Sequence, residues 1–118
     1  MENRFIYHVC KSEEFDQALK VGSYEGSSQD KSDGFIHFSS KLQVRASTAK
    51  HRAGQDCLTL LEVDTNLLGD ELIWEPSRGD QLFPHLYGVL PISSITRTAS
   101  LRLRQDGSHN FPDWLRAD

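Results

Sequence analysis

The stretch Asp33-Gly34-Phe35-Ile36-His37-Phe38-Ser39-Ser40 decides how the rest of the chain is read. Gly34 to Phe38 is short, apolar and aromatic, which reads as a strand, with one histidine at its centre. Ser40 followed by Gln43 fits a capping box, so a helix is expected to start there. A titratable ring where a strand hands over to a helix marks a candidate site, and Ser39 and Ser40 read as helix-start residues.

Working outward, Phe5 to Cys10 reads as a first strand, with Phe5, Tyr7 and Val9 on one face and Ile6, His8 and Cys10 on the other. Ser12 is expected to cap a helix with Glu13 and Glu14 in its first turn, a buried stripe of Phe15, Ala18 and Leu19, and Gly22 as terminator. Ser23 to Asp33 is Gly, Ser and charge around Tyr24, and reads as a surface loop. The helix after Ser40 is expected to bury Leu42, Ala46, Ala49 and Ala53 and to end at Gly54. Cys57 to Asp64 is a nearly continuous apolar run, which suits a central strand. Glu71 to Glu75 and Phe83 to Gly88 read as further strands, with a polar loop holding Arg78 between them. Ile92 to Arg104 reads as a turn and a long strand, and Phe111, Pro112 and Trp114 are expected to pin the C-terminus to the body. Helices bunched at the front and strands behind argue an α+β fold, with two N-terminal helices on a mostly antiparallel split sheet.

The 118 residues make one domain, 1–118, of ordinary size, long enough to bury a core without staples. A net charge of −4 argues against a nucleic-acid partner, whose binding runs on phosphate neutralisation. No apolar run approaches the ~20 residues of a membrane span. Met1-Glu2-Asn3-Arg4 lacks the basic and apolar regions of a signal peptide, so a cytoplasmic location is expected. Cys10 and Cys57, without CxxC spacing, read as two reduced, buried thiols.

Five histidines are present. His51, in the last turn of a helix, and His109, in a polar tail, read as surface residues. His8, His37 and His85 each lie in or beside an apolar strand, where a polar ring is either a satisfied core group or a site residue. Three of them in so small a domain point to a shared pocket. Glu62, on the face of Leu58 and Leu60, needs partners or a raised pKa if buried. Glu75 is either a functional carboxylate near a strand end or an edge charge that keeps the strand soluble. There is no phosphate-binding GxxxxGK[ST] loop, GxGxxG fingerprint or GxSxG elbow. No HExxH or CxxC pair offers metal-ligand spacing, so no metal is expected.

Ile6-Tyr7-His8-Val9, Gly34-Phe35-Ile36-His37-Phe38-Ser39, Leu60-Leu61-Glu62-Val63-Asp64, Trp74-Glu75 and Phe83-Pro84-His85-Leu86-Tyr87-Gly88 together resemble the bacterial and plant domain-of-unknown-function family 952. The resemblance runs from about Phe5 to Thr96, and it implies a fold similar to that of the ADP-ribosyltransferases. By that comparison Tyr7-His8 resembles the pair whose His holds a ribose of NAD, and His37 stands near a tyrosine that stacks on nicotinamide. His85 stands where those enzymes carry a catalytic Glu, and Glu75 offers a carboxylate on the preceding strand. RNA 2′-phosphotransferases, whose fold is related, use His and Arg instead, which makes Arg78 a candidate phosphate contact.

The resemblance thus implies a small-molecule nucleotide ligand, NAD or ADP-ribose, with glycosidic cleavage or transfer as the chemistry. His8, His37, His85 and Glu75 are the candidate catalytic residues; Tyr7, Phe35, Ser39, Arg78 and Tyr87 are the candidate binding residues. The alternatives are a non-catalytic ligand- or protein-binding domain and a histidine-based metal site.

Overall fold

The computed structural model describes residues 4–115. Nine strands and three α-helices alternate with short 3-10 turns among them. All pairings are antiparallel, which together with the separated helices makes the fold α+β. β1 (Phe5–Lys11), β4 (Leu58–Asp64), β8 (Ile95–Leu103) and β9 (His109–Asn110) form a four-stranded sheet in the order β1-β4-β8-β9. β3 (Ile36–His37), β6 (Leu82–Leu86) and β5 (Leu72–Pro76) form a second sheet in the order β3-β6-β5. β2 (Ser23–Tyr24) pairs with β7 (Leu90–Pro91) as a separate ribbon.

β4 is the spine of the molecule. All seven of its residues are buried, as its apolar run requires of a strand covered on both faces. Its alternation feeds two cores. Leu61 and Val63 join Ile6 and Cys10 of β1, Phe15 and Ala18 of α1 (Ser12–Val21), and Ile36, Phe38 and Leu86 from the second sheet. Leu58 and Leu60 join Tyr7, Val44 of α3 (Val44–His51), Leu101 and Leu115, with Phe111 and Trp114 closing the edge. The expected anchoring of the C-terminal aromatics is therefore met. The two large sheets are joined where Tyr7 and Ser39 exchange backbone N–H···O bonds of 2.8 Å each.

Several expectations are corrected. Ser23 to Asp33 is not an open loop: it contains β2 and a further helix, α2 (Ser28–Asp33). Ser27 caps α2 in a full capping box with Asp30, and Tyr24 and Asp30 are buried. Ser12 is the first residue of α1, not its cap, and its hydroxyl pairs with that of Thr59 at 2.6 Å. Leu19 of α1 is half exposed, because the sheet covers only the Phe15 and Ala18 side of the helix.

α3 begins at Val44, after a turn in which the Gln43 side chain accepts the Ser40 N–H. That later start rotates the face: Val44 and Thr48 are buried, while Leu42, Ala46, Ala49 and Ala53 are exposed. Cys57 is exposed with φ 55°, so the strand starts one residue later than its composition suggests. His109 is buried, since β9 pairs with β8 and the ring bonds the Gln55 carbonyl at 2.6 Å. His51 is exposed, as expected.

Glu62 has the partners its burial demands. Tyr7 Oη donates to it at 2.9 Å, Thr96 Oγ1 at 2.7 Å, and Arg97 grips both oxygens at 3.0 and 2.9 Å. Burial works to raise its pKa, but the Arg97, Thr96 and Tyr7 donors outweigh that and hold it below the usual carboxylate range. No helix among the described residues is long and apolar enough to cross a membrane.

Candidate functional site: a three-histidine cleft

A cleft of about 1060 Å³ is lined by β1, the start of α1, α2, β3 and the segment after it, α3, and Phe83 and His85 of β6. His8, His37 and His85 all line it, so the three strand-borne histidines do meet. β1 and β3 bring His8 and His37 together across the join between the sheets. The β3–β6 register places His37 directly opposite His85. Their rings meet edge-on with centroids 5.6 Å apart.

The three rings have different states. His8 is buried, with Nδ1 2.6 Å from the His37 carbonyl and Nε2 2.8 Å from the Tyr24 hydroxyl. A carbonyl can only accept, so Nδ1 carries the proton and Nε2 accepts from Tyr24. Burial lowers the His8 pKa more strongly than the nearby Asp30 raises it, and the ring stays neutral. With both nitrogens engaged, His8 has none left for the expected ribose hydroxyl. It is a buried strut under the cleft.

His37 is the charged ring. Its Nδ1 lies 2.5 Å from Asp30 Oδ1 and its Nε2 lies 3.0 Å from Asp33 Oδ2. The Asp30 hydrogen bond is the main cause of its raised pKa; burial works against it, and the charges of Asp30 and Asp33 add to it. Burial would raise the Asp30 pKa, but the His37 bond and the N–H groups of Ser27 and His37 bring it down to about 2. An ionised carboxylate at 3 % exposure thus sits beneath an imidazolium whose side chain is 40 % exposed.

His85 is held differently. Its Nδ1 lies 2.7 Å from Glu75 Oε1, and the Tyr87 hydroxyl donates to the same oxygen at 2.6 Å. The Tyr87 bond first, then the His85 bond, keep Glu75 below the usual carboxylate range, so it is ionised and accepts the Nδ1–H. Nε2 has no hydrogen-bond partner among the described residues. A carboxylate that fixes the tautomer of an imidazole whose other nitrogen is free is the arrangement of a general base.

The binding candidates are spread more widely. Tyr7 and Ser39 border the cleft, but the Tyr7 hydroxyl is turned to Glu62, and Ser39 is buried and contributes the backbone bridge to Tyr7. Phe35 does not line the cleft. It stacks on His85 at 4.1 Å and leans on His37 at 4.5 Å and Tyr87 at 5.1 Å, bracing the imidazoles from outside. Tyr87 and Glu75 also lie outside the lining and reach the cleft through His85. Arg78 falls in the turn 78–80, and its side chain lies outside the described ones. Among the described residues no three His, Cys, Asp or Glu side chains are placed to hold a metal ion.

Asp30, Asp33 and Tyr24, which set the states of His8 and His37, escaped the sequence reading. One signal was present: Ser27-Ser28-Gln29-Asp30 has the [ST]-x-x-[DE] form of a helix start.

Residues 9–98 match the family described as Protein of unknown function (DUF952). The chain is also similar to protein CC0527 from Caulobacter crescentus. A crystal structure of that protein is 44% identical, with a TM-score of 0.90 over 94% of this chain and 97% of that one. Its solution NMR structure is 45% identical, with a TM-score of 0.79 over 89% and 90% of the two chains. No curated protein matches the chain.

Proposed function

The chain belongs to the DUF952 family, a description that carries no activity, and we propose its function from the cleft: it binds NAD, ADP-ribose or a related nucleotide there, on an ADP-ribosyltransferase-like fold, with His85 as general base. The observation that carries this reading is the pairing of His85 Nδ1 with ionised Glu75 at 2.7 Å, which leaves Nε2 for the cleft beside the His37 imidazolium. The split antiparallel sheet, with Tyr7-His8 on one half and residues 34–39 leading from the other, supports the fold comparison. A cleft of about 1060 Å³ has the volume for a dinucleotide.

In this reading Nε2 takes the proton of an acceptor hydroxyl or water as its oxygen attacks the ribose carbon. The glycosidic bond breaks, and its electron pair leaves with nicotinamide. Two unpaired cysteines suit the reducing cytoplasm, where such nucleotides are abundant.

Calorimetry with NAD and ADP-ribose tests the proposal. Saturable binding by the wild type, weakened about tenfold or more (~1.4 kcal/mol) in His37→Ala or His85→Ala, is expected. No heat with either nucleotide overturns it. Chromatography of the same mixtures separates the chemistry: free nicotinamide reports glycosidic cleavage, and affinity without product identifies a non-catalytic binding domain.

A further inference from the structure

The two carboxylates on His37 differ in kind. Asp30 is buried, fixed by the capping box with Ser27, and bonded to both the ring and the backbone N–H of His37. Asp33 is 36 % exposed, and besides His37 its carboxylate meets the exposed Gln29 side chain. It is the last residue of α2, where the helix dipole disfavours negative charge. Gly34 follows in the left-handed region at φ 87°, with no atom near where a Cβ would stand, so the chain leaves the helix unencumbered. Asp33 and His37 both line the cleft. The outward N–H of a cationic ring is therefore covered by one exposed carboxylate that little else holds in place.

We infer that the Nε2–H of His37 is the docking point for a phosphate group of the ligand, and that Asp33 is an internal stand-in that the phosphate displaces. A phosphate oxygen accepts the same charge-assisted bond as a carboxylate oxygen and brings more charge to it. Asp30 keeps the ring protonated throughout, so the site needs no proton uptake when the anions exchange. Lys11 and Arg52 also line the cleft, together with Glu13, Glu14 and Asp56, so the cation that meets the phosphate is the His37 ring itself. The inference rests on the nucleotide reading only for what lies beyond the phosphate.

The test is calorimetry on wild type, Asp33→Asn, His37→Gln and the double variant, with pyrophosphate, ADP-ribose and adenosine as probes. Asp33→Asn is expected to bind pyrophosphate and ADP-ribose about threefold to fivefold more tightly, the scale of one exposed ion pair. Adenosine is expected to show no gain, and the gain is expected to vanish in the His37→Gln background. Unchanged or weaker phosphate binding by Asp33→Asn, an equal gain for adenosine, or a gain that survives without His37 overturns the inference. If pyrophosphate follows the pattern and the nucleotides do not bind, the nucleotide reading fails and the phosphate site stands. If ADP-ribose binds and Asp33→Asn changes nothing, the site fails and the reading stands. Absence of binding by every probe removes both.

Discussion

His37 and His85 are direct cross-strand partners, and Phe35 lies against both rings, stacked on His85 at 4.1 Å. One imidazole is clamped by two carboxylates and carries charge; the other is held by one, with its second ring nitrogen unpartnered among the described residues. The difference is set by the side chains behind them, since the two backbones are equivalent in register.

If His85 is the general base, His85→Ala lowers nucleotide turnover by about 10²–10⁴-fold, the range for losing such a group. Glu75→Ala leaves the ring in place without its orienting carboxylate, and a fall of about 10- to 100-fold is expected, as for other partners that fix an imidazole tautomer. Steady-state kinetics check the pair: kcat falls in both variants, and KM rises in His85→Ala with its weakened binding. A Glu75→Ala enzyme as active as wild type would show that Glu75 only keeps an edge strand soluble.

Tyr24→Phe removes the single donor to His8 Nε2. A buried ring nitrogen left unpaired costs about 1–3 kcal/mol. Urea denaturation measures it, and a loss below about 0.5 kcal/mol would mean that His8 is not the strut described.

The histidines give stability opposite pH dependences. Burial lowers the His8 pKa from 6.5, so its contribution is complete above that value and erodes as pH falls below it. The Asp30 bond raises the His37 pKa from 6.5, so that contribution is complete below 6.5 and is lost as pH rises through the raised value. Asp30, brought from 3.8 to about 2, loses its contribution as pH falls between those two values. Thermal unfolding between about pH 5 and 9 follows the first two. His37→Gln is expected to flatten the alkaline side. An alkaline slope as steep as that of wild type would count against a charged His37.

Gly26 has φ 98°, and a Cβ there would meet Asp30 Cβ at 2.7 Å. Gly26→Ala is therefore expected to push α2 off His37 and lower stability by about 1–3 kcal/mol through backbone strain and the lost capping box. Calorimetric Tm and the NMR shifts of the His37 ring should move together. A stable variant with an unperturbed ring would show that α2 is not needed to hold the charge.

What the sequence made legible follows from which forces act locally. β4 is readable because every residue of Leu58–Asp64 is buried, so composition alone announces it. The convergence of His8, His37 and His85 is readable because each sits in an apolar strand. α2 is not: six residues, Ser28–Asp33, carry no apolar stripe, and the helix is held by its cap and by Asp30 beneath His37. The buried face of α3 is misread because a turn delays its start, and Thr48 is accommodated inside by donating to the Val44 carbonyl at 2.7 Å. His109 reads as polar tail because its partner, the Gln55 carbonyl, lies 54 residues away. Where a long-range hydrogen bond decides burial, local pattern is silent.

Cys57 has one more consequence. It is exposed and borders the same cleft as His37, while Cys10 is fully buried with its thiol pushed up to about 12 by burial. The native chain therefore presents one thiol to an alkylating dye and withholds the other. A maleimide fluorophore attached there, with no cysteine added or removed, becomes an optical reporter on the rim of the cleft, able to read ligand entry in real time.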